Sequence, residues 1–519
     1  MRLYQSFATV GGMTMLSRVL GFVRDMLIAL VLGTGPVADA FFVAFRFPNL
    51  FRRLFAEGAF NAAFVPLFAK RLEGEGVEAA RKFAQEALSA LTAVLLILTA
   101  VAEITMPGLM YVIAPGFAST PDKFDLAVQL TRIAFPYLLC VSLVALFSGA
   151  LNALGKFALA AFAPVLLNVV FVFVLGGLAL AGTRETPEAG EALAWAVFVG
   201  GFAQLGALLF GARGAGISLK LQRPRLTEGV RRLVRLGIPG VIAGGITQVN
   251  ILIGTIIASL QDSAVSWLYY ADRIYQLPLG VIGIAVGVVL LPDLSRKLRA
   301  GNLEAAIESK NRSLEFSMFF TLPAAVALLA VPSPIIQVLF ERGAFTASDT
   351  SASATALAAF AVGLPAFVAI KVFSPAFFAR EDTRTPMIYA AISVVVNVVG
   401  SLSMFYIIGH VGIAIATSLA GWVNTALLAG TLLKRGDFAF DAQFKRRIVP
   451  LCLASCVMGI AVWLLAGQLA PYFSPAQGVA VQASALGALV ASGLVIYLAI
   501  AHLTGGADIR TLLKRIFRR

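Results

Sequence analysis

The stretch LSRVLGFVRDMLIALVLG, Leu16–Gly33, decides how the chain is read. It is apolar over almost its whole length and close to the ~20 residues that carry a helix across a bilayer. Yet it contains Arg18, Arg24 and Asp25. A charge at the centre of a membrane helix costs roughly 2.5–3.5 kcal/mol on insertion scales. Three in one span call for a reason other than solvation.

The rest of the chain has the same character. Of its 519 residues 59% are hydrophobic and 13% charged, half the roughly 25% charged content of a soluble domain. Apolar runs recur from end to end. No ~10-residue segments of alternating polarity suggest a barrel, so the fold class is all-α, a polytopic membrane protein. Cys140, Cys452 and Cys456 lie in apolar runs, while His410 and His502 stand isolated. These residues read as packing, and neither a metal site, a cofactor nor a disulfide framework is expected. The first residues, MRLYQSFATVGGMTM, lead directly into a span without a small-residue cleavage site.

Hydropathy and helix breakers predict fourteen spans, near 8–33, 36–66, 86–113, 126–151, 159–182, 192–212, 234–260, 265–295, 313–340, 350–379, 386–408, 411–433, 447–469 and 479–503. Basic residues test the count. With a cytoplasmic N-terminus, thirty of the 41 Lys and Arg fall inside, three (Lys123, Arg184, Arg342) outside, and eight within spans. That asymmetry follows the positive-inside rule and puts both termini in the cytoplasm. The net charge of +14 is then mostly topological. The tail RTLLKRIFRR reads as a basic amphipathic end on anionic headgroups, and nucleic acid is not a partner.

Two copies of one unit are visible. At an offset of 226, Pro66 matches Pro292, Lys70–Arg71–Leu72 matches Arg296–Lys297–Leu298, and Glu78–Ala79–Ala80 matches Glu304–Ala305–Ala306. At 229, Pro136 matches Pro365 and Asn168–Val169–Val170 matches Asn397–Val398–Val399. The predicted organisation is an N-terminal lobe over 1–225, a second lobe over 226–440, and two further helices with the tail over 441–519. Six helices per copy give both the same orientation, as in transporters built from parallel repeats with a site between the copies.

The charges inside spans define the candidate site. Spans 1 and 2 run antiparallel, which sets Arg18 level with Arg52 and Arg24 level with Arg46. Asp39, Arg46 and Arg53 recur at i, i+7 and i+14, nearly one face. By repeat symmetry Arg273 lies at a similar depth, with Asp25, Asp39 and Asp272 as carboxylate partners and Lys371 as a further cation. Arg53 with Glu57 reads instead as a structural pair. Five arginines against Asp25, Asp39 and Glu57 leave positive charge over. Excess cation in a low-dielectric cavity calls for an anion, and arginine suits the bidentate geometry of phosphate. No nucleotide-binding G-x-x-x-x-G-K-[ST] loop and no catalytic constellation is present, so an enzyme is not expected.

The segments MTMLSRVLGFVRD, ADAFFVAFRFPNLFRRLFAEGAFNAAFVPLF, APGF and SWLYYADRIYQLPLGVIGIAVGVVLLPDLS resemble the MurJ (MviN) family of bacterial lipid II flippases. That family is part of the multidrug/oligosaccharidyl-lipid/polysaccharide exporter superfamily. The resemblance implies two six-helix lobes around a V-shaped cavity, and two extra helices forming a groove for the undecaprenyl tail. The implied cargo is lipid II, a disaccharide-pentapeptide on a diphosphate, moved to the outer leaflet of the bacterial inner membrane by a monomer among membrane lipids. The family's essential cavity residues fall on Arg18, Arg24, Asp39, Arg52 and Arg273, with Asp25 beside Arg24. One departure concerns coupling: some relatives resemble a sodium-driven design with a carboxylate in the seventh helix. Here IPGVIAGGITQVNILIGTIIAS has only Thr247, Gln248 and Asn250 as its main polar side chains. The competing readings are a cation-coupled drug antiporter, an exporter of another polyprenyl-diphosphate glycan, and a non-transporting membrane scaffold. The antiporter predicts acidic or aromatic cavity residues, whereas the scaffold gives no reason for surplus charge.

Overall fold

A computed structural model describes residues 2–53 and 60–506, and within helices not the side chains of 2–8, 61–62, 241–243, 247 and 284–289. Glu57, the Thr247 side chain and the basic tail therefore lie outside the described residues. Every regular element among those described is helical.

The chain divides into two compact units. The first holds residues 1–266 together with 343–345, the second 267–342 and 346–519. The first contains α1 (Arg2–Leu32), α2 (Pro36–Phe51), α3 (Asn61–Gly74), α4 (Val77–Ile113), a 3₁₀ turn (Pro115–Ser119), α5 (Pro121–Ala134), α6 (Tyr137–Ala153), α7 (Phe157–Leu180), α8 (Pro187–Gly214) and α9 (Glu228–Ala258). The second contains nearly all of α10 (Ala264–Arg299), then α11 (Leu303–Ala330), α12 (Pro332–Phe340), α13 (Ala347–Phe378), α14 (Arg384–Ile408), α15 (His410–Lys434), α16 (Ala442–Phe473) and α17 (Val479–Leu503).

All fourteen expected spans fall on helices. Spans 2, 4 and 9 each fall on two: α2 with α3, α5 with α6 around Pro136, and α11 with α12 at Pro332. Proline explains the last two interruptions, because it cannot donate to the preceding turn. Among the described residues, ten helical segments are long and apolar enough to cross a membrane, or eleven if the bent α9 counts as one span. Apolarity alone thus supports fewer crossings than fourteen. α1 carries Arg18, Arg24 and Asp25 in its apolar stretch, and α2 is only 16 residues long.

Each unit has its own core. In the first, Phe64 and Phe68 of α3 pack with Phe83 of α4, Phe147 of α6 and Leu233 of α9. In the second, Phe373 and Phe377 of α13 pack with Leu428 of α15 and Phe438. There α16 and α17 contribute Leu451, Met458, Leu489 and Tyr497 to a cluster against α11 and α12, and the Tyr497 hydroxyl donates to the Phe319 carbonyl at 2.6 Å. The compact division therefore differs from the boundaries at 225 and 440. α9 packs against α3 and α4, and α16–α17 are built into the second unit.

The repeat offset reappears in how each unit holds the linker that leaves it. α4 and α11 begin at Val77 and Leu303, 226 residues apart. On α4, Gln85 bonds the Gln222 side chain at 2.8 Å, Ser89 accepts from the Gln222 N–H at 2.8 Å, and Glu86 accepts from Thr227 at 2.7 Å. Thr227 caps α9. On α11 the same offset gives Asn311, Arg312 and Glu315. Asn311 donates to the Ala439 carbonyl at 2.8 Å, Arg312 pairs with Asp441, and Glu315 pairs with Arg447. Asp441 caps α16. One joint is neutral apart from Glu86 and the other is ionic, but both use the same three helix positions.

The turn between α1 and α2 shows why glycine is needed at its start. Gly33 ends α1 with φ +59°, and a Cβ there would lie 2.4 Å from the Ala344 carbonyl oxygen. Both the left-handed backbone and the close approach exclude a side chain. Gly33→Ala is expected to destabilise the protein by more than the roughly 1–2 kcal/mol of left-handed strain. A thermal melt in detergent measures it, and Ala344→Gly should not rescue, because the obstacle is backbone.

Candidate functional site

In the first unit, α1, α2 and α7 meet around Arg24, which is 7% exposed. Its Nε and Nη2 donate to one oxygen of Asp25 at 3.1 and 2.9 Å, and its Nη1 donates to the Asn168 Oδ1 at 3.0 Å. The Asn168 amide is oriented by donating to the Ser17 carbonyl at 3.0 Å. Phe45 and Phe171 stand 5.7 and 5.4 Å from the guanidinium carbon. Arg24 is therefore held by a carboxylate, an amide and two rings rather than facing open space. The same sequence that gave Asn168 a partner in Asn397 placed a lone amide in an apolar helix, and that was the available signal for it.

Arg18 behaves differently. It is half-buried on α1 and makes no hydrogen bond or ion pair with any described residue. Arg46 donates to the Thr255 hydroxyl of α9 at 2.7 Å, and Arg52 donates to Asn49 at 3.0 Å; both are half-buried.

Asp39 corrects the expectation that it pairs with these arginines. It is fully buried. One of its oxygens accepts from Lys123 at 2.8 Å and from the Ser263 N–H at 2.9 Å. The other accepts from the Ser266 N–H at 3.0 Å and its hydroxyl at 2.6 Å. Asp39 thus caps the start of α10 and neutralises Lys123, which also reaches Asp262 at 3.1 Å and lies 4.4 Å from the Phe117 ring centre. Lys123 sits in the charged run PDKFD, which reads as loop; the structure puts it inside α5 with its side chain buried. Its one sequence signal was its rarity, as one of three basic residues on that side.

With Asp39 and Asp262 both on Lys123, Asp25 and Glu57 are the other carboxylates in the sequence of spans 1 and 2, beside Arg18, Arg24, Arg46, Arg52 and Arg53.

In the second unit, Arg273 of α10 donates to the Tyr269 hydroxyl at 2.9 Å, with its guanidinium carbon 4.6 Å from that ring's centre. Asp272 accepts from Gln276. Lys371 of α13 is exposed and makes no hydrogen bond or ion pair with a described residue. Its Cγ lies 3.5 Å from where Gly283 of α10 would carry a Cβ, so it lies along the helix that holds Arg273. Among the described residues, no group of three or more His, Cys, Asp or Glu could hold a metal ion.

Helices of this number and length, with arginines set into α1, α2 and α10, define a polytopic helical membrane protein. Comparison narrows the class. The family model described as "Lipid II flippase MurJ" matches residues 28–482. The "Probable lipid II flippase MurJ" of Rhizobium meliloti (strain 1021) is 50% identical over all of this chain and 97% of that protein. The solved structure "Lipid II flippase MurJ, inward closed conformation" superposes with a TM-score of 0.77 at 24% identity, covering 98% of this chain and 99% of that one. A structure of a "multidrug resistance MATE family transporter of the MOP superfamily", inward-facing, gives 0.68 at 16% identity over 83% of this chain and 98% of that one. The chain belongs to the lipid II flippase MurJ family, and it is an integral membrane protein.

Removing Lys123 alone tests the buried pair. Lys123→Ala leaves Asp39 charged and unmatched, which typically costs ~3–5 kcal/mol. The melting temperature is expected to fall sharply, and adding Asp39→Asn should recover part of the loss. A double variant no more stable than Lys123→Ala would show that the pair is not coupled.

Proposed function

We propose that this protein moves lipid II, the undecaprenyl-diphosphate-linked disaccharide-pentapeptide, from the cytoplasmic to the periplasmic leaflet of a bacterial inner membrane. The observation that carries this reading is the match to the MurJ family over nearly the whole chain. The arginine surplus supports it chemically. A diphosphate entering the bilayer loses its hydration, and guanidinium groups replace that water with paired N–H donors. Arg18, which bonds to no described residue, is the first cation a headgroup meets. Arg24 exchanges the Asp25 oxygen for phosphate oxygens, with Asn168 keeping the fork oriented through Nη1. Arg46 and Arg52 extend this basic set, and the repeat in the sequence assigns Arg273, Lys371 and Asp272 the corresponding part in the second lobe.

Movement follows alternating access between two lobes. The Asp39 contacts to Ser263 and Ser266 tie the α1–α2 turn to the start of α10, and we assign them to the closed periplasmic end. Export then requires that they part. α9 carries no carboxylate after Glu228, which favours the membrane potential or an ion other than sodium as the driver. A drug-antiporter reading fits the shared fold, but not a basic lining.

Two experiments check this. In reconstituted vesicles, with potential and sodium varied separately, lipid II flipping should follow the potential. Arg24→Ala and Arg273→Ala should abolish it at normal membrane levels, with lysine at either site rescuing only partly. Growth on both alanine variants after depletion of the native protein would refute the anion site. For topology, cysteines at Gly74, Gly301 and Gly436 should react only with membrane-permeant reagents, and those at Ser119 and Ser474 with impermeant ones. Labelling of Gly301 from outside breaks the fourteen-span arrangement.

A further inference from the structure

Eight basic residues lie within the expected spans, and the transport site accounts for all but one of them once Arg53 is set with Glu57. The remaining one is Arg132 of α5. It borders a cavity of about 560 Å³ between α4, α5 and α8, whose walls include Pro107, Asp125, Gln129, Glu191 and Trp195. That volume is within the ~300–1,000 Å³ of small-molecule sites.

The chemistry of the walls is ordered. Asp125, Gln129 and Arg132 stand at i, i+4 and i+7, one stripe of α5, while Phe124, Ala127, Leu130 and Thr131 are buried. The Arg132 Nε donates to the Glu103 carbonyl at 3.2 Å, and its terminal nitrogens donate to no described residue. Anchored by Nε, the guanidinium keeps those donors available to a phosphate, which competes there with the neighbouring Glu103 carboxylate of α4. Asp125 is exposed and makes no hydrogen bond or ion pair with a described residue. Glu191 accepts only weakly from Gln129, at 3.4 Å. Each carboxylate sits four residues after the first residue of its helix, Pro121 or Pro187, about 6 Å in, and Arg132 lies roughly 10 Å deeper along α5. Trp195, 48% exposed, stands one turn beyond Glu191 on α8 and offers an indole of the kind that anchors at membrane interfaces.

We propose that this cavity binds a phospholipid whose headgroup carries a primary ammonium, of the phosphoethanolamine type. Its phosphate sits on the Arg132 terminal nitrogens, its ammonium between Asp125 and Glu191, and its upper acyl chain along Pro107 and Trp195. The order along the membrane normal is the argument: carboxylates near the helix ends, arginine below them, apolar surface beside. A phosphoethanolamine headgroup has the matching sequence of ammonium, phosphate and hydrocarbon. A singly anionic headgroup would satisfy Arg132 but face two carboxylates. The site requires only that α4, α5 and α8 lie in a membrane, and it holds whatever the cargo or direction of transport.

The test is lipid competition on the purified full chain. Delipidated protein is equilibrated with equal amounts of phosphatidylethanolamine and phosphatidylglycerol of the same acyl chains, and bound lipid is counted by native mass spectrometry. Phosphatidylethanolamine is expected to exceed phosphatidylglycerol by about fivefold, the scale of a weak exposed ion pair. Asp125→Asn with Glu191→Gln should bring the ratio near one, and Arg132→Gln should lower both lipids. Lys156→Gln, on an exposed residue elsewhere, should change nothing. Equal binding by the parent protein, or an unchanged ratio in the double carboxylate variant, overturns the proposal. So does displacement of the lipid by equimolar soluble phosphoethanolamine, which would mean that the membrane plays no part. If Arg132→Gln does not yield folded protein, as judged by its elution volume, the carboxylate variant decides alone.

Discussion

Asp39 has no exposed surface, and yet all its capacity as a carboxylate is used: an ammonium, two backbone N–H groups and a hydroxyl converge on two oxygens. Taking such a charge out of water is expensive, and the compensation depends on every partner being in place. Three segments far apart in sequence must therefore meet at one point: the start of α2, the start of α5 and the turn that opens α10. Gly33 and Pro36 set the entry of α2, and that entry sets where Asp39 can reach. The arginines further down α1 and α2 inherit their positions from this junction.

The same junction gives the arginines their chemical character. Because Asp39 is taken by Lys123, it cannot quench the guanidinium groups on its own helix. Two classes of cation result. Arg24 is fixed by Asp25, Asn168 and two aromatic rings, an arrangement that prepares the fork without spending its freedom on solvent. Arg18 is half-buried and bonds to no described residue. In the function proposed above, such a graded set captures a diphosphate first and grips it later, with binding stronger at each step as water is excluded.

Much of this was legible in the sequence. Helix positions followed from apolar runs of bilayer length, which leave little choice of structure because every backbone group must be satisfied internally. The arginines on which the proposed function rests also stand out in the sequence, since an arginine in such a run has few innocent explanations. Partners were not. Lys123 and Asp39 are 84 residues apart and joined by packing alone, and no periodicity links them. Lys123 sits among acidic neighbours in PDKFD, so its local context described a solvated loop. Asn168 looked like one polar residue among many until Arg24 was placed beside it. The unit boundary was hidden for a similar reason. α9 follows the repeat in sequence, but its Leu233 completes the core around Phe64 and Phe83, which only three-dimensional contact reveals.

The first unit is not built from one continuous stretch: it includes residues 343–345, whose Ala344 N–H donates to the Leu30 carbonyl at 3.0 Å beside Gly33. This has a consequence for biosynthesis. A ribosome inserting the chain releases Ser266 about 80 residues before Phe345, which at ~5–20 residues per second means a wait of about 4–16 s. Through that interval the α1–α2 turn lacks its final backbone partner, and the nascent first unit stays open at the end where Asp39 lies. Closure comes only when α10, α11 and α12 have entered the membrane. A chain truncated between 267 and 342 would thus expose an incomplete junction for membrane quality control to find.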